Sequence, residues 1–168
     1  MNVKTKAGLL ILSVGIVTAT ANVSPVAAKG SSLDLATSLA FIDQAKRAAD
    51  ADHAHIAIAI VDAGGNLISF QKMDGTQLGS VELAIRKAKT SVSFARPSAD
   101  MERALNSGNY MIATLPNALP AGGGYPIVIN NELVGALGLS GGEGETDARL
   151  AQSAVTTILR TSKPRAPE

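Results

Sequence analysis

The stretch His55-Ile56-Ala57-Ile58-Ala59-Ile60-Val61 (HIAIAIV, 55–61) alternates large β-branched side chains with alanines. In an extended chain successive side chains point to opposite faces. The pattern therefore predicts a strand whose isoleucines enter a deep core while its alanines admit a close neighbour on the other side. Asp62-Ala63-Gly64-Gly65-Asn66 then supplies a turn with two residues suited to positive φ, and Leu67 to Met73 returns as a second strand. So short a connection makes the pair an antiparallel hairpin, because a parallel partner needs a crossover of about a dozen residues or more.

Working outward, the apolar positions Leu35, Leu39, Ile42, Ala45 and Ala49 recur at steps of three and four. They predict an amphipathic helix over about 33–51, with Ser31 or Ser32 as its cap. After Asp74-Gly75-Thr76, the stripe Val81, Ile85, Ala88 and Val92 predicts a helix over 80–95, stopped by Pro97. Ser98, Asp100 and Glu102 open a short helix that Asn106-Ser107-Gly108 closes. Tyr110 to Leu115 reads as a short strand or an extended segment facing a ligand. Ile127 to Asn130 and Leu133 to Leu139 flank Asn130-Asn131-Glu132 as a second hairpin, and Thr146 is the expected cap of a last helix carrying Leu150, Ala154, Val155, Ile158 and Leu159. Two hairpins among helices predict an α+β fold: a central antiparallel sheet flanked by helices.

The first 28 residues are set apart from this fold. Lys4 and Lys6, the apolar run Ala7 to Val17 and the small residues Val26-Ala27-Ala28 form a secretory signal with expected cleavage after Ala28. Its removal leaves 140 of the 168 residues, enough for one domain, assigned to 29–160 with a flexible tail over 161–168. The expected localisation is exported, periplasmic or secreted. The remaining chain carries 13 basic against 14 acidic side chains, so it presents no electrostatic footprint for nucleic acid. There is no cysteine, which removes thiolate metal sites and thiol catalysis.

Chemistry-bearing residues are few. Gly122-Gly123-Gly124 lacks the strand-before, helix-after setting of a dinucleotide fingerprint. It is either a turn at a strand edge or a place where bare backbone approaches a flat ligand or a neighbouring subunit. Gly135, Gly138, Gly141 and Gly142 continue the theme, and packing is the commoner cause of such glycines. His53 and His55 are the two histidines; in an extended chain their spacing puts both rings on one side, where they could hold a metal ion or offer an axial ligand to haem iron. The alternative is two polar residues at a helix-to-strand corner. Asp62 suits turn chemistry. Asp74 and Lys87 are the catalytic candidates for an enzyme acting on a small carbonyl or carboxylate metabolite, with Lys87 reaching its head into a glycine-lined cleft.

The blocks AIAIVDAGGNLISFQKMDG (57–75), AIRKAKTSVSFARPS (84–98) and LPAGGGYPIVINNELVGALGLSGG (119–142), followed by Asp147, resemble the GlcG/HbpS-type haem-binding family, and equally the C-terminal domain of PduO-type proteins. The resemblance implies a profilin-like single domain that assembles into homo-oligomers and binds haem, in some relatives also iron ions, with roles in redox sensing, storage or haem handling. A membrane-bound sensor partner is one further implied role. The family pattern falls on Asp62, Gly65, Met73, Asp74, Lys87, Thr90, Pro97, Gly123, Gly124, Pro126, Gly135, Gly138, Gly141 and Gly142. For the cofactor, His53 or His55 is the preferred iron ligand and Thr114, Tyr110 and Met111 are weaker alternatives, with Gly123, Gly124 and Tyr125 as further binding candidates. A non-catalytic haem binder is thus the leading expectation and the small-metabolite enzyme its rival.

Overall fold

The computed structural model describes residues 33–161. The expected signal segment and nearly all of the expected tail lie outside the described residues. The order is α1 (Leu35–Ala51), β1 (Ala57–Asp62), β2 (Leu67–Lys72), α2 (Gly79–Phe94), α3 (Ser98–Asn106), a 3-10 turn (Tyr110–Thr114), β3 (Gly124–Ile129), β4 (Glu132–Ser140) and α4 (Gly144–Thr161). The four strands form one sheet in the order β2-β1-β4-β3, and every pairing is antiparallel. The α+β architecture expected from the two hairpins is therefore the one observed.

The alternation in 55–61 is resolved into two faces. Ile56, Ile58 and Ile60 join Leu137, Leu139 and Ile127 in a core closed by Phe41, Ile42, Ala45 and Ala49 of α1 and by Leu150, Ala151, Ala154 and Val155 of α4. Each large aliphatic side chain fully removed from water there contributes about 1.5–3 kcal/mol. Ala57 and Ala59 face the other way, against Ala84 of α2, and Val61 packs with Ala88, Val92 and Ala136.

On that second face the sheet is pared to almost nothing. Ala59 pairs with Gly138, and Gly138 pairs with Gly124, so one cross-strand row of minimal residues runs beneath α2. A Cβ at Gly138 would overlap the Ala84 carbonyl oxygen and lie 2.7 Å from the Ala88 nitrogen; at Gly124 it would overlap the Lys87 carbonyl oxygen. The glycines let the helix backbone rest directly on the strands. Packing, rather than a turn or a bare ligand face, accounts for Gly124 and Gly138.

Both hairpin turns have physical causes in their own residues. Asn130 and Asn131 hold φ values of 50° and 64°, the left-handed pair that a two-residue hairpin requires. In the first hairpin one carboxylate oxygen of Asp62 accepts from the backbone N–H of Gly64 (2.8 Å) and of Asn66 (2.8 Å), and the Asn66 amide reaches both oxygens. Burial alone would raise the Asp62 carboxyl, but these donors outweigh it and hold it below its ordinary value of 3.8. A depressed native pKa means that the stabilisation is present above about pH 3.8 and is lost as pH falls through the native value. Asp62→Ala is expected to cost about 1–2 kcal/mol at pH 7. In urea unfolding the gap between the two proteins should narrow below pH 4; a gap independent of pH would contradict this account.

Three local expectations need correction. The α1 cap is Asp34, not Ser31 or Ser32: its carboxylate accepts from the Thr37 N–H at 2.7 Å, and the serines lie outside the described residues. Thr146 is not the α4 cap but sits within its first turn, which begins at Gly144. Tyr110 to Thr114 is neither strand nor extended: it winds into a 3-10 turn in which Ile112 alone is buried.

Candidate functional site

The chemistry-bearing side chain that the fold treats most unusually is Lys87. It lies on the inner face of α2, where its Nζ donates to Asp147 Oδ2 at 2.8 Å, with side-chain exposures of 5% and 0%. The second oxygen of Asp147 accepts from the Gly142 N–H at 3.1 Å. A Cβ at Gly123 would lie 3.0 Å from both Lys87 Cδ and Asp147 Cβ. The triple glycine therefore wraps a buried ion pair that joins α2 to α4. The sequence suggested a lysine with its head at a cleft; in the structure the head is enclosed.

Three side chains hold the segment leading into that wrap. Thr90 Oγ1 accepts from the Leu119 N–H at 2.9 Å and lies 2.8 Å from the Arg86 carbonyl oxygen. Ser98 Oγ donates to the Ala121 carbonyl (2.6 Å) and accepts from the Gly124 N–H (2.8 Å), while Glu102 Oε2 accepts from the Gly122 N–H (2.8 Å). Ser98 was read as a helix opener, and it does begin α3, but its hydroxyl makes no capping bond there. Nothing in the local pattern marks Ser98 or Glu102 as loop clamps, because their partners stand twenty or more positions away.

Among the described residues, surface cavities open on several sides of the fold. One of about 400 Å³ lies between α1 and the end of β2, lined by Lys46, Asp50, His55, Gln71, Lys72, Met73 and Asp74. Another of about 400 Å³ separates α3 from the start of α4 and includes Glu102, Arg103 and Glu145. A third, about 490 Å³, runs from the Gly64-Gly65-Asn66 turn along Arg86 and Lys89 to Asn117.

These positions sort the expected site residues. His53 has φ 55° at the end of α1, so the extended geometry that would place its ring beside that of His55 is not present. His55 lines the cavity between α1 and β2, and its ring rests on the turn at Gly75, where a Cβ would come within 3.3 Å of it. Asp74 lines the same cavity beyond the edge strand β2, whereas Lys87 is buried above β3 and β4; the structure does not bring the two catalytic candidates together. Gly123 and Gly124 are covered by Lys87, Asp147 and Ser98, and Tyr125 packs half-buried against the main core. Thr114 is exposed and its hydroxyl donates to the Met111 carbonyl at 2.8 Å; Tyr110 and Met111 are exposed beside it. Among the described residues no group of three or more histidines and carboxylates could hold a metal ion. Met73, which stood in the family pattern, lines the same cavity and packs against the main core.

A single domain with one antiparallel sheet, a helix clamped onto its small-residue face and a buried lysine–aspartate pair beneath a glycine loop defines an α+β protein of one structural class. Within that class the chain belongs to the HbpS-like family: the family model, described as haem degrading protein HbpS-like, matches residues 33–156. It is 29% identical to protein GlcG of Escherichia coli over 85 residues, which cover 51% of this chain and 63% of GlcG. The chain thus spans less than two thirds of that relative's length. Among solved structures it is similar to a double mutant of Streptomyces reticuli HbpS, with 28% identity and a TM-score of 0.69 over 80% of this chain and 96% of that one. It is also similar to PduOC in a haem complex, with 28% identity and a TM-score of 0.64 over 70% of this chain and 88% of that one. The resemblance drawn from the 57–75, 84–98 and 119–142 blocks is borne out.

Proposed function

We propose that this chain is an exported haem-binding protein that holds haem for storage, transfer or redox sensing, with His55 as an iron ligand. The observation that carries the reading is the cavity between α1 and β2. It joins the imidazole of His55 and the thioether of Met73 with the ammonium groups of Lys46 and Lys72. The ion pairs among the described residues, Lys87–Asp147, Arg103–Asp100 and Arg149–Asp52, leave both lysines without a carboxylate partner. Imidazole is a haem-iron ligand, and Lys46 and Lys72, which share the cavity with Asp50 and Asp74, are the cations that would face the propionates. Haem would supply one-electron and oxygen chemistry at its iron.

Family membership and the haem complex of the similar PduOC domain support the same reading. The apolar cover at this cavity is limited to Met73 and the alkyl stems of the lysines, so a second copy of the chain closing over the exposed porphyrin belongs to the proposal. Export rests on Lys4, Lys6, the run Ala7 to Val17 and Val26-Ala27-Ala28. A membrane-bound sensor as downstream partner is the remaining part of the reading.

Titration of the purified protein with haem, followed by absorbance and size-exclusion chromatography, is expected to give saturable binding with a sharp Soret shift. His55→Ala should weaken binding about tenfold or more, equivalent to about 1.4 kcal/mol, while His53→Ala should leave it unchanged. Equal affinities in both variants would remove His55 from the site.

A further inference from the structure

We infer that the cavity of about 490 Å³ beside the first hairpin turn is a binding site for a small oxyanion, a phosphate or carboxylate group, gripped by Arg86 and Lys89. Neither iron nor porphyrin enters this site, so it stands or falls separately from the haem reading.

The cavity has a floor and two walls taken from three separate segments. Its floor is one stripe of α2, made of Glu82, Arg86, Lys89 and Ser93 at helical spacing. The Gly64-Gly65-Asn66 turn forms one wall and Asn117 the other. Both walls are fastened to the helix that carries the cations. Asp62 ties the turn through the N–H groups of Gly64 and Asn66. Gly65, at φ 79°, comes so near α2 that a Cβ there would stand 3.9 Å from Val92 and 4.0 Å from the Lys89 stem. On the other wall the buried Thr90 hydroxyl lies 2.8 Å from the Arg86 carbonyl oxygen and 3.3 Å from that of Asn117, and it accepts from the Leu119 N–H at 2.9 Å. Asn117 is thereby held at φ 61°, a left-handed backbone of the kind that persists where its surroundings impose it and that clusters at ligand clamps. Walls fixed in this way lose little conformational entropy when a ligand enters.

Charge and lining name the class of ligand. Arg86 and Lys89 are exposed one turn apart, and the ion pairs among the described residues, Lys87–Asp147, Arg103–Asp100 and Arg149–Asp52, include neither of them. The nearby Asp62 carboxylate is already taken up by donors of its own turn. Glu82 is the one carboxylate in the lining, so two cations face it and the cavity favours an anion. The Arg86 fork matches two oxygens of a phosphate or carboxylate, and the Lys89 ammonium adds a point charge beside it. Every side chain in the lining is polar or charged, with Ser93 and Asn117 as further donors. Such a surface suits a small, strongly hydrated anion and offers nothing to an apolar one.

The test is calorimetric titration of the purified protein with inorganic phosphate and with citrate at constant ionic strength, with thermal unfolding followed in the same solutions. At least one of the two anions is expected to bind saturably and raise Tm, and which one does so separates a phosphate site from a carboxylate site. Arg86→Gln, at an exposed position, should weaken that binding at least tenfold. Asn117→Gly keeps the left-handed backbone while deleting the amide, and should weaken it severalfold. Arg103→Gln removes the same charge from an exposed residue at a different cavity and should leave the affinity unchanged. Equal weakening in all three variants would overturn the site in favour of a general charge effect. Full affinity in Arg86→Gln, or no saturable binding of either anion to the wild type, would overturn it as well.

Discussion

Gly138→Ala is expected to cost about 3 kcal/mol or more and to leave much of the protein insoluble, although it adds one methyl group to a strand. The added carbon would overlap the Ala84 carbonyl oxygen and stand 2.7 Å from the Ala88 nitrogen, both of them helix backbone that cannot rotate away. Relief requires α2 to lift off the sheet, which would also disturb its contacts over the paired Gly124 and the neighbouring Ala59. Gly79→Ala is the matched control. That position begins α2, has nothing within 4 Å of the added carbon, and should be neutral or stabilised by a few tenths of a kcal/mol. Urea midpoints for the two variants decide the matter. Similar midpoints would mean that α2 rides over the sheet with slack that the close contacts do not suggest.

The second large effect concerns the buried ion pair. Asp147→Leu leaves the Lys87 ammonium enclosed without its partner and removes the acceptor of the Gly142 N–H, and the expected cost is about 3–5 kcal/mol. Lys87→Met strands the aspartate and should cost a similar amount. The double substitution removes both charges from the interior, so it should be far more stable than the sum of the two losses predicts. Chemical denaturation of the four proteins gives the coupling directly. Additive losses would show that the groups act independently, and the pair would then not be what joins α2 to α4.

Haem binding separates this pair from the proposed ligand site. Lys87 and Asp147 lie under the glycine loop above β3 and β4, while His55 stands before β1 and lines the cavity between α1 and the end of β2. Variants of the pair that still fold should therefore bind haem as wild type does, whereas His55 variants should fold normally and bind it more weakly. A catalytic role for Lys87 and Asp74 as one unit has no geometric support in this arrangement, because the two residues are held on different parts of the molecule.

Much of the architecture was legible because it is written in local periodicity. The isoleucine–alanine alternation over 55–61 specifies both faces of a strand, since side-chain direction repeats every two residues whatever the rest of the chain does. Asn130-Asn131 specifies a tight hairpin, because these residues accept the left-handed conformation that the turn imposes. The helical stripes of α1, α2 and α4 are local in the same sense. The helix ends were less legible: Asp34 competes with nearby serines for the same capping role, and sequence pattern alone does not decide which wins.

What only the tertiary structure decided are relations between distant segments. The backbone of α2 lying on Gly124 and Gly138, the enclosure of Lys87 by a residue sixty positions later, and the clamping of 119–124 by Thr90, Ser98 and Glu102 all arise when five separate segments close on one another. A glycine codes only for the absence of a side chain, and what fills the space is chosen by the element that packs there. The same holds for the cavity beside α1: His55 and Met73 are eighteen positions apart in sequence, and it is the antiparallel return of β2 that lays them beside it.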